Sequence, residues 1–310
     1  MTEQPEYPYP DPIVRLDHVE DLADDLLVVP NRGVQLVPNI GIIGGTEAVL
    51  VVDTGLGPRN AEQVLAFASD VAKGRRIFLT TTHFHPEHAF GAQSFTGEAT
   101  YLANRAQAED LRNKAVGYLQ MFRGLGEPIA RQLEGVELTL PEVVYDTDHE
   151  LDLGGRIVRL RATGRAHTRG DQIITVPDIG VMFSGDLVET GQFAIFPWFP
   201  PHDTDVTGLG WIAVMQRLVA QHPTTVVPGH GALGGTEILG DVLTYLEELR
   251  DETWVRRDSA MSEADVIAEV SDVLIKRHPD WEGREWLAPG VSCLCGEHDG
   301  HLSGTDAADV

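Results

Sequence analysis

Apolar residues along this chain come in short runs that end on polar ones. Residues 26–29, 34–37, 40–43 and 48–52 are such runs, punctuated by Gly44-Gly45 and Asp53-Thr54-Gly55, and they predict strands joined by turns. Over 60–72 the period changes, with Val64, Leu65, Ala68 and Val71 on one helical face. Residues 77–79 are again strand-like and run into Thr80-Thr81-Thr82. Residues 98–134 predict helices broken near Gly124-Leu125-Gly126. Strands are predicted at 138–144, at 151–161 with a turn at Gly154-Gly155, and at 172–176, 181–186 and 225–227. A helix is predicted over 211–219, and longer ones over 238–254 and 264–275. Strands alternating with helices predict an α/β chain.

Several of these strands end in residues that carry chemistry. The densest case is TTHFHPEHAFG, from Thr81 to Gly91, which places His83, His85, Glu87 and His88 within six positions. His83 and His85 are two apart and fall on one side of an extended segment. Pro86 breaks the extension and can open a helix whose first turn carries Glu87 and His88. Such a corner offers two ligand pairs to two neighbouring points, and imidazole and carboxylate are groups that zinc takes. One histidine alone would read as an ordinary loop residue; three of the chain's 12 histidines here argue against that. Asp53 ends the strand at 48–52 and serves either to orient a ligand histidine or to cap its own turn. His167 lies in a glycine-bearing loop between strands, and Asp186 and His230 end two later ones.

Composition narrows the partners. The 310 residues suit one large domain or two small ones, and 42% hydrophobic content with 32 glycines is globular. No apolar run approaches the ~18 residues of a membrane span. The opening MTEQPEYPYPDP has no basic region followed by an apolar stretch, so a secretory signal is not expected. Cys293 and Cys295 are too close to form a disulfide framework, which predicts a reducing, cytoplasmic setting. With His298 and His301 they make only a weak zinc signal. A net charge of -25 argues against nucleic acid and anionic membrane as partners. The acidic clusters Glu20-Asp21-Asp24-Asp25 and Asp146-Asp148-Glu150-Asp152 read as solvated surface. The expected organisation is a proline-rich arm over 1–22, a body over 23–236, and a helical extension with a frayed polar tail over 237–310. The arm and an aromatic loop make a homodimer compatible with the sequence.

In order, Thr82-His83-Phe84-His85-Pro86-Glu87-His88, His167 in Gly-Arg-Ala-His-Thr, Ser184-Gly185-Asp186 and Pro228-Gly229-His230-Gly231 resemble the motifs of the metallo-β-lactamase superfamily. Asp53-Thr54-Gly55 adds to the resemblance, which covers roughly residues 30–235. It implies an αββα sandwich of two mixed β-sheets flanked by helices, with the C-terminal helices as an addition. It implies two zinc ions: His83, His85 and His167 on one, Glu87, His88 and His230 on the other, Asp186 bridging beside a hydroxide. Glu87 departs from the family's H-x-H-x-D-H. Its extra methylene shifts the carboxylate by about one bond length, while zinc–oxygen distances stay near ~2.0–2.2 Å. The backbone absorbs the shift, the second ion binds weakly, or Glu87 becomes a base or a water-holding group. Iron or manganese would suit the same donors.

The resemblance implies a zinc-dependent hydrolase, in which metal-bound hydroxide attacks a carbonyl or phosphoryl centre. Glu87 or Asp186 would take the proton. The loop 188–202, with Phe193, Phe196, Trp198 and Phe199, either gives the site an apolar lining or packs against the body. A lining would suit an ester, lactone, thioester or amide in a small, partly apolar substrate. The alternatives are a mononuclear iron oxygenase of the same fold and a β-lactamase, the latter disfavoured without a secretory signal. A flavin-linked enzyme would need a further domain, and a non-enzymatic descendant would have lost ligands.

Overall fold

The computed structural model describes residues 9–301. The first eight residues of the expected arm and the tail from residue 302 lie outside the described residues. Two compact units share the chain: residues 1–162 with 172–183, and residues 163–171 with 184–310.

In the first unit, β1 (Glu20–Ala23), β2 (Leu26–Val29), β3 (Ile40–Gly44) and β4 (Ala48–Val52) form an antiparallel run. Helix α1 (Gly57–Ala72) crosses over to β5 (Arg76–Thr80), which pairs parallel to β4. Next come α2 (Pro86–Ala89), β6 (Ala99–Asn104), α3 (Arg105–Arg123), α4 (Glu127–Gln132) and β7 (Val143–Tyr145). The seven strands make one mixed sheet in sequence order. Every residue of β4 is buried, as a central strand covered on both faces requires. In α1 the buried positions Ala61, Val64, Ala68 and Ala72 follow the helical period, and Lys73 closes the helix in the left-handed region at φ 50°. Asn104 caps α3 by accepting from the Gln107 amide at 2.9 Å.

The second sheet has the order β12-β11-β10-β9-β8. Its β8 (Asp148–Asp152), β9 (Ile157–Ala162) and β10 (Gln172–Val176) are antiparallel neighbours, and β10 pairs antiparallel with the start of β11 (Val181–Glu189). On the exposed face of β8, Asp148 and Glu150 pair with Arg161 and Arg159 of β9 at 2.6 and 3.1 Å, so this acidic cluster is partly neutralised. The two sheets pack face to face within the first unit. A Cβ on Gly41 would lie 2.5 Å from the Phe183 ring, so only glycine lets the sheets approach that closely there. This is the α/β architecture of two sheets and flanking helices that the sequence led us to expect.

In the second unit, α5 (Gly208–Val219) precedes β12 (Thr225–His230), followed by α6 (Thr236–Asp258), α7 (Glu263–Arg277) and α8 (Leu287–His298). Leu239, Val242, Leu246 and Leu249 of α6 and Val266, Val270 and Leu274 of α7 are buried along helical stripes.

Three expectations change. Residues 34–37 form turns, with Leu36 at φ 58° and the Val37 amide on Val34 O, because Asn31, Gly33 and Pro38 impose turn chemistry on an apolar run. Residues 99–104 are strand β6 rather than helix: Thr100, Tyr101 and Leu102 pair parallel with β5. Of 138–144 only the end belongs to a strand, β7. Helix α8 adds an element that periodicity did not reveal, and it carries the first residues of the expected frayed tail, with Glu297 buried.

Candidate metal centre

The first unit holds one cluster of candidate donors at a single corner. β5 ends at Thr80, and the chain runs through buried Thr81 and Thr82 to His83 and His85 before Pro86 opens α2. His85 is extended at ψ 154°, and α2 carries Glu87 and His88, all buried. His83 and His85 thus precede the helix that Pro86 opens, and Glu87 and His88 lie on it. The ring centroids of His83 and His88 stand 4.2 Å apart, and those of His83 and His85 4.6 Å.

Asp53 fixes this corner. Its Oδ1 accepts from the Thr82 amide at 2.7 Å, and its Oδ2 accepts from Thr82 Oγ1 at 3.0 Å and from His88 Nδ1 at 2.8 Å. Of the two roles open from sequence, orientation of a histidine is the one found. A carboxylate only accepts, so His88 Nδ1 carries the hydrogen and Nε2 carries the lone pair. Thr82 gives its hydroxyl hydrogen to Asp53, so its oxygen accepts from His83 Nδ1 at 3.2 Å, again presenting Nε2. Asp53 sits in the left-handed region at φ 70°, which an aspartate tolerates better than most residues.

Further layers hold the strand end. Thr81 Oγ1 lies 2.8 Å from Tyr101 Oη and accepts from Gln107 Nε2 at 2.6 Å. Gln172 Nε2 donates to Thr81 O at 2.7 Å. Burial pushes the Tyr101 phenol far above its ordinary pKa, so it stays neutral and hydrogen-bonded. Tyr118 of α3 stacks on His85 at 5.1 Å. A Cβ on Gly91 would meet Ala61 at 2.4 Å, so the turn after α2 needs glycine to pack on α1.

Within the second unit His167, Asp186 and His230 are all buried. His167 lies on the 163–171 loop, braced by Thr168, whose amide and hydroxyl donate to Asp171 at 2.8 and 2.6 Å. His167 Nδ1 meets Ile195 O at 2.9 Å; a carbonyl only accepts, so here too Nε2 carries the lone pair. Asp186 divides its oxygens, Oδ2 lying 3.9 Å from His167 Nε2 and Oδ1 3.6 Å from His230 Nε2. Two donors on one ion at about 2.1 Å in a tetrahedral array stand ~3.4 Å apart. Both separations are close to that and too long for direct hydrogen bonds. A Cβ on Gly229 would lie 1.9 Å from Asp186 Oδ1, so β12 can pass the carboxylate only with glycine there. Trp211 of α5 packs its ring edge on His167 at 5.4 Å and donates Nε1–H to Leu187 O at 3.0 Å.

The aromatic loop resolves toward packing. Phe193 and Phe196 are fully buried, Phe193 against Tyr245 and Trp281 and Phe196 against Trp211. Phe199 faces Trp286 at 6.4 Å. Cys293 and Cys295 are free and buried on α8, and burial raises both thiol pKa values, so they are packing residues. Trp211, Tyr118 and the Ile195 carbonyl contact candidate donor residues, and Gln107 and Gln172 hold Thr81 beside them, without forming any motif. Their contacts cross long stretches of chain and leave no signal in spacing.

Each of the seven side chains offers an imidazole nitrogen or carboxylate oxygen, a donor set that fits a divalent ion such as zinc and suits soft thiolate-seeking metals poorly.

Comparison with known proteins follows the same lines. The profile described as the metallo-beta-lactamase superfamily matches residues 33–230. The chain is 28% identical over 221 residues to the acyl-coenzyme A thioesterase MBLAC2 of Bos taurus, covering 65% of this chain and 75% of that one. Its fold is similar to a metallo-beta-lactamase from Pontibacter korlensis at TM-score 0.59 and 20% identity, covering 74% of this chain and 98% of that one. It is also similar to the sec-alkylsulfatase Pisa1 of a Pseudomonas species, at TM-score 0.69 and 15% identity. That match covers 93% of this chain and 51% of the sulfatase.

Proposed function

The chain belongs to the metallo-beta-lactamase superfamily and is a metal-dependent hydrolase, and from that premise we propose that it cleaves the thioester bond of a small acyl substrate. The observation that carries the metal chemistry is Asp186, whose two oxygens each face a different histidine nitrogen. The thioester is favoured over ester, lactone or amide by the similarity to MBLAC2, itself an acyl-coenzyme A thioesterase.

In this reading His83, His85 and His167 would hold one ion and Glu87, His88 and His230 a second, with Asp186 a candidate ligand in either group. Zinc is the ion proposed, on the nitrogen and oxygen donor set. Bound there, it would lower the pKa of a water and polarise the carbonyl oxygen. The protein's own groups do the rest. Asp53 and Ile195 O hold the Nδ1 hydrogens of His88 and His167, which fixes each ring's tautomer and plane. Glu87 and Asp186 are the buried carboxylates available to accept the proton that the attacking water releases. Burial of all seven side chains limits competing hydration. With Phe193 and Phe196 committed to packing, the acyl portion would meet the half-buried Trp198 and Phe199 instead.

The test is a substrate panel on metal-loaded protein: acyl-coenzyme A of several lengths, an aryl ester, a lactone, a β-lactam, a secondary alkyl sulfate and a phosphodiester. Thioester cleavage at least ~10²-fold faster than the others, lost on chelation and restored by zinc, is expected. Faster turnover of the sulfate or the β-lactam would overturn it. Iron in the purified protein together with dioxygen consumption would favour the oxygenase alternative. A body over 23–236 with an extension over 237–310, a cytoplasmic location and a homodimer complete the proposal. They are tested by truncation, cell fractionation and solution mass. Among the described residues no helix is long and apolar enough to cross a membrane.

A further inference from the structure

Helix α8 lies outside the residues matched by the family profile, yet its side chains close on the segment that leads into α5. Glu297 is buried, and its Oε1 accepts the hydroxyl hydrogen of Thr207. Its Oε2 accepts from the Leu209 amide at 3.2 Å, one of the amides that a helix leaves without an internal partner. Cys293 Sγ faces Val206 O at 3.7 Å, and a Cβ on Gly208 would lie 2.6 Å from the Leu294 side chain. Three residues on one side of α8 therefore grip residues 206–209.

That segment holds the His167 loop. Thr207 caps α5 by accepting from the Gly210 amide at 3.2 Å, while its own amide donates to Ala166 O at 2.9 Å, next to His167. Arg165 returns the contact through Thr204 O at 3.0 Å and through Asp205 O. A Cβ on Gly210 would stand 2.5 Å from Arg165 O, so the helix start and the loop leave no slack between them. One turn later Trp211 rests on the His167 ring and bonds to Leu187 O, the carbonyl following Asp186. The α5 start thus touches the supports of two proposed metal ligands.

We propose that Glu297 is a positioning residue: through Thr207 and the start of α5, it sets the His167 loop for metal binding. The inference rests on His167 being a ligand, as proposed above. The carboxylate suits this place because two donors converge on it and the helix start favours negative charge. Burial raises its pKa, against the hydrogen bonds from Thr207 and Leu209.

The test compares Glu297→Ala, Glu297→Gln and His167→Ala in the full chain by zinc affinity in chelator competition, alongside thermal melting. Glu297→Ala is expected to weaken zinc binding about tenfold, as loss of outer support for a ligand does elsewhere. Glu297→Gln, whose amide oxygen still accepts, should stay within about threefold of wild type. If Glu297→Ala does not fold, Thr207→Val against Thr207→Ser makes the same comparison, since only serine keeps the hydroxyl. A lower melting temperature with unchanged zinc affinity in Glu297→Ala, while His167→Ala loses affinity, overturns the positioning role alone. Unchanged affinity in His167→Ala removes His167 from the ligand set and overturns both readings.

Discussion

Asp53 Oδ2 and His88 Nδ1 stand 2.8 Å apart, both wholly buried, although 35 positions separate them in the chain. The same carboxylate holds the amide and the hydroxyl of Thr82, so one aspartate sets a ring plane and the strand end that carries His83. Asp53→Asn keeps the shape and tolerates the left-handed backbone, but it loses the charge and one acceptor. Metal affinity and turnover should fall ~10–100-fold, with little change in melting temperature. Chelator competition and steady-state kinetics read both; wild-type affinity in the variant would rule out the orienting role.

Gly229 is a steric prediction. A methyl group there would overlap Asp186 Oδ1 and stand 2.7 Å from the Gly185 carbonyl carbon, so Gly229→Ala must displace Asp186 or β12. Stability should drop by about 1–3 kcal/mol. Displacement of Asp186 by even an ångström should cost ~10²-fold in turnover. Denaturant melts and kinetics on one preparation separate these effects, and full activity would show that the strands move apart freely.

Glu87 gives a prediction about stoichiometry. It is buried in the first turn of α2 beside His88. Metal analysis should give about two ions per chain for wild type and Glu87→Asp, falling to about one for Glu87→Gln, since an amide is a poor zinc donor. One ion in wild type rising to two in Glu87→Asp would mean that the longer side chain has dismantled the second position.

Metal removal should also be felt by the fold. An ion present at about a thousand times its Kd stabilises the native state by about 4 kcal/mol. Stripping with a chelator should therefore lower the melting temperature by several degrees, and added zinc should restore it. Identical melts with and without metal would mean that the ligands bind too weakly to matter.

His298 gives a pH prediction away from the centre. Its Nε2 meets Asp258 Oδ1 at 2.9 Å and its Nδ1 meets Asp299 Oδ1 at 3.0 Å, so both nitrogens donate and the ring is an imidazolium. The hydrogen bonds to Asp299 and Asp258 raise its pKa. A raised basic pKa contributes stability fully below the unfolded value of about 6.5, and the contribution is lost as pH rises through the folded value. Asp299, held low by His298 and Arg257, works in the other direction, losing its contribution only as pH falls through its own depressed pKa. His298→Ala should lower the melting temperature at about pH 6 and lower it less at about pH 9. An equal shift at both would assign the effect to packing against Trp254.

The strand-end pattern made the donor cluster legible: His83, His85, Glu87 and His88 all follow the end of β5 at Thr80 closely, and local spacing carries that information. The role of Asp53 stayed open in the sequence because its partner is 35 positions away. Residues 34–37 misled because an apolar count outweighed the turn formers on either side, and 99–104 because a parallel strand buried beside β5 lacks alternation. Helix α8 contains Pro289, Gly290 and Gly296, so its helicity comes from packing: a Cβ on Gly290 would press on Leu249 and Phe196 at 3.1 and 3.2 Å, and glycine lets both pack close. Phe193 and Phe196 could face either way in sequence, and the buried Tyr245 and Trp211 that receive them decide the matter.

The two compact units are interleaved, because the chain leaves the first after residue 162, returns at 172 and leaves again after 183. Inheritance is constrained accordingly. A single crossover between two homologous genes can never exchange either unit whole, and one falling between residues 172 and 183 would join a His167 loop from one parent to the Asp186 and His230 of the other. Chimaeras built with the short segment 163–171 moved together with 184–310 should bind metal, whereas those cut once between residues 172 and 183 should bind it more weakly.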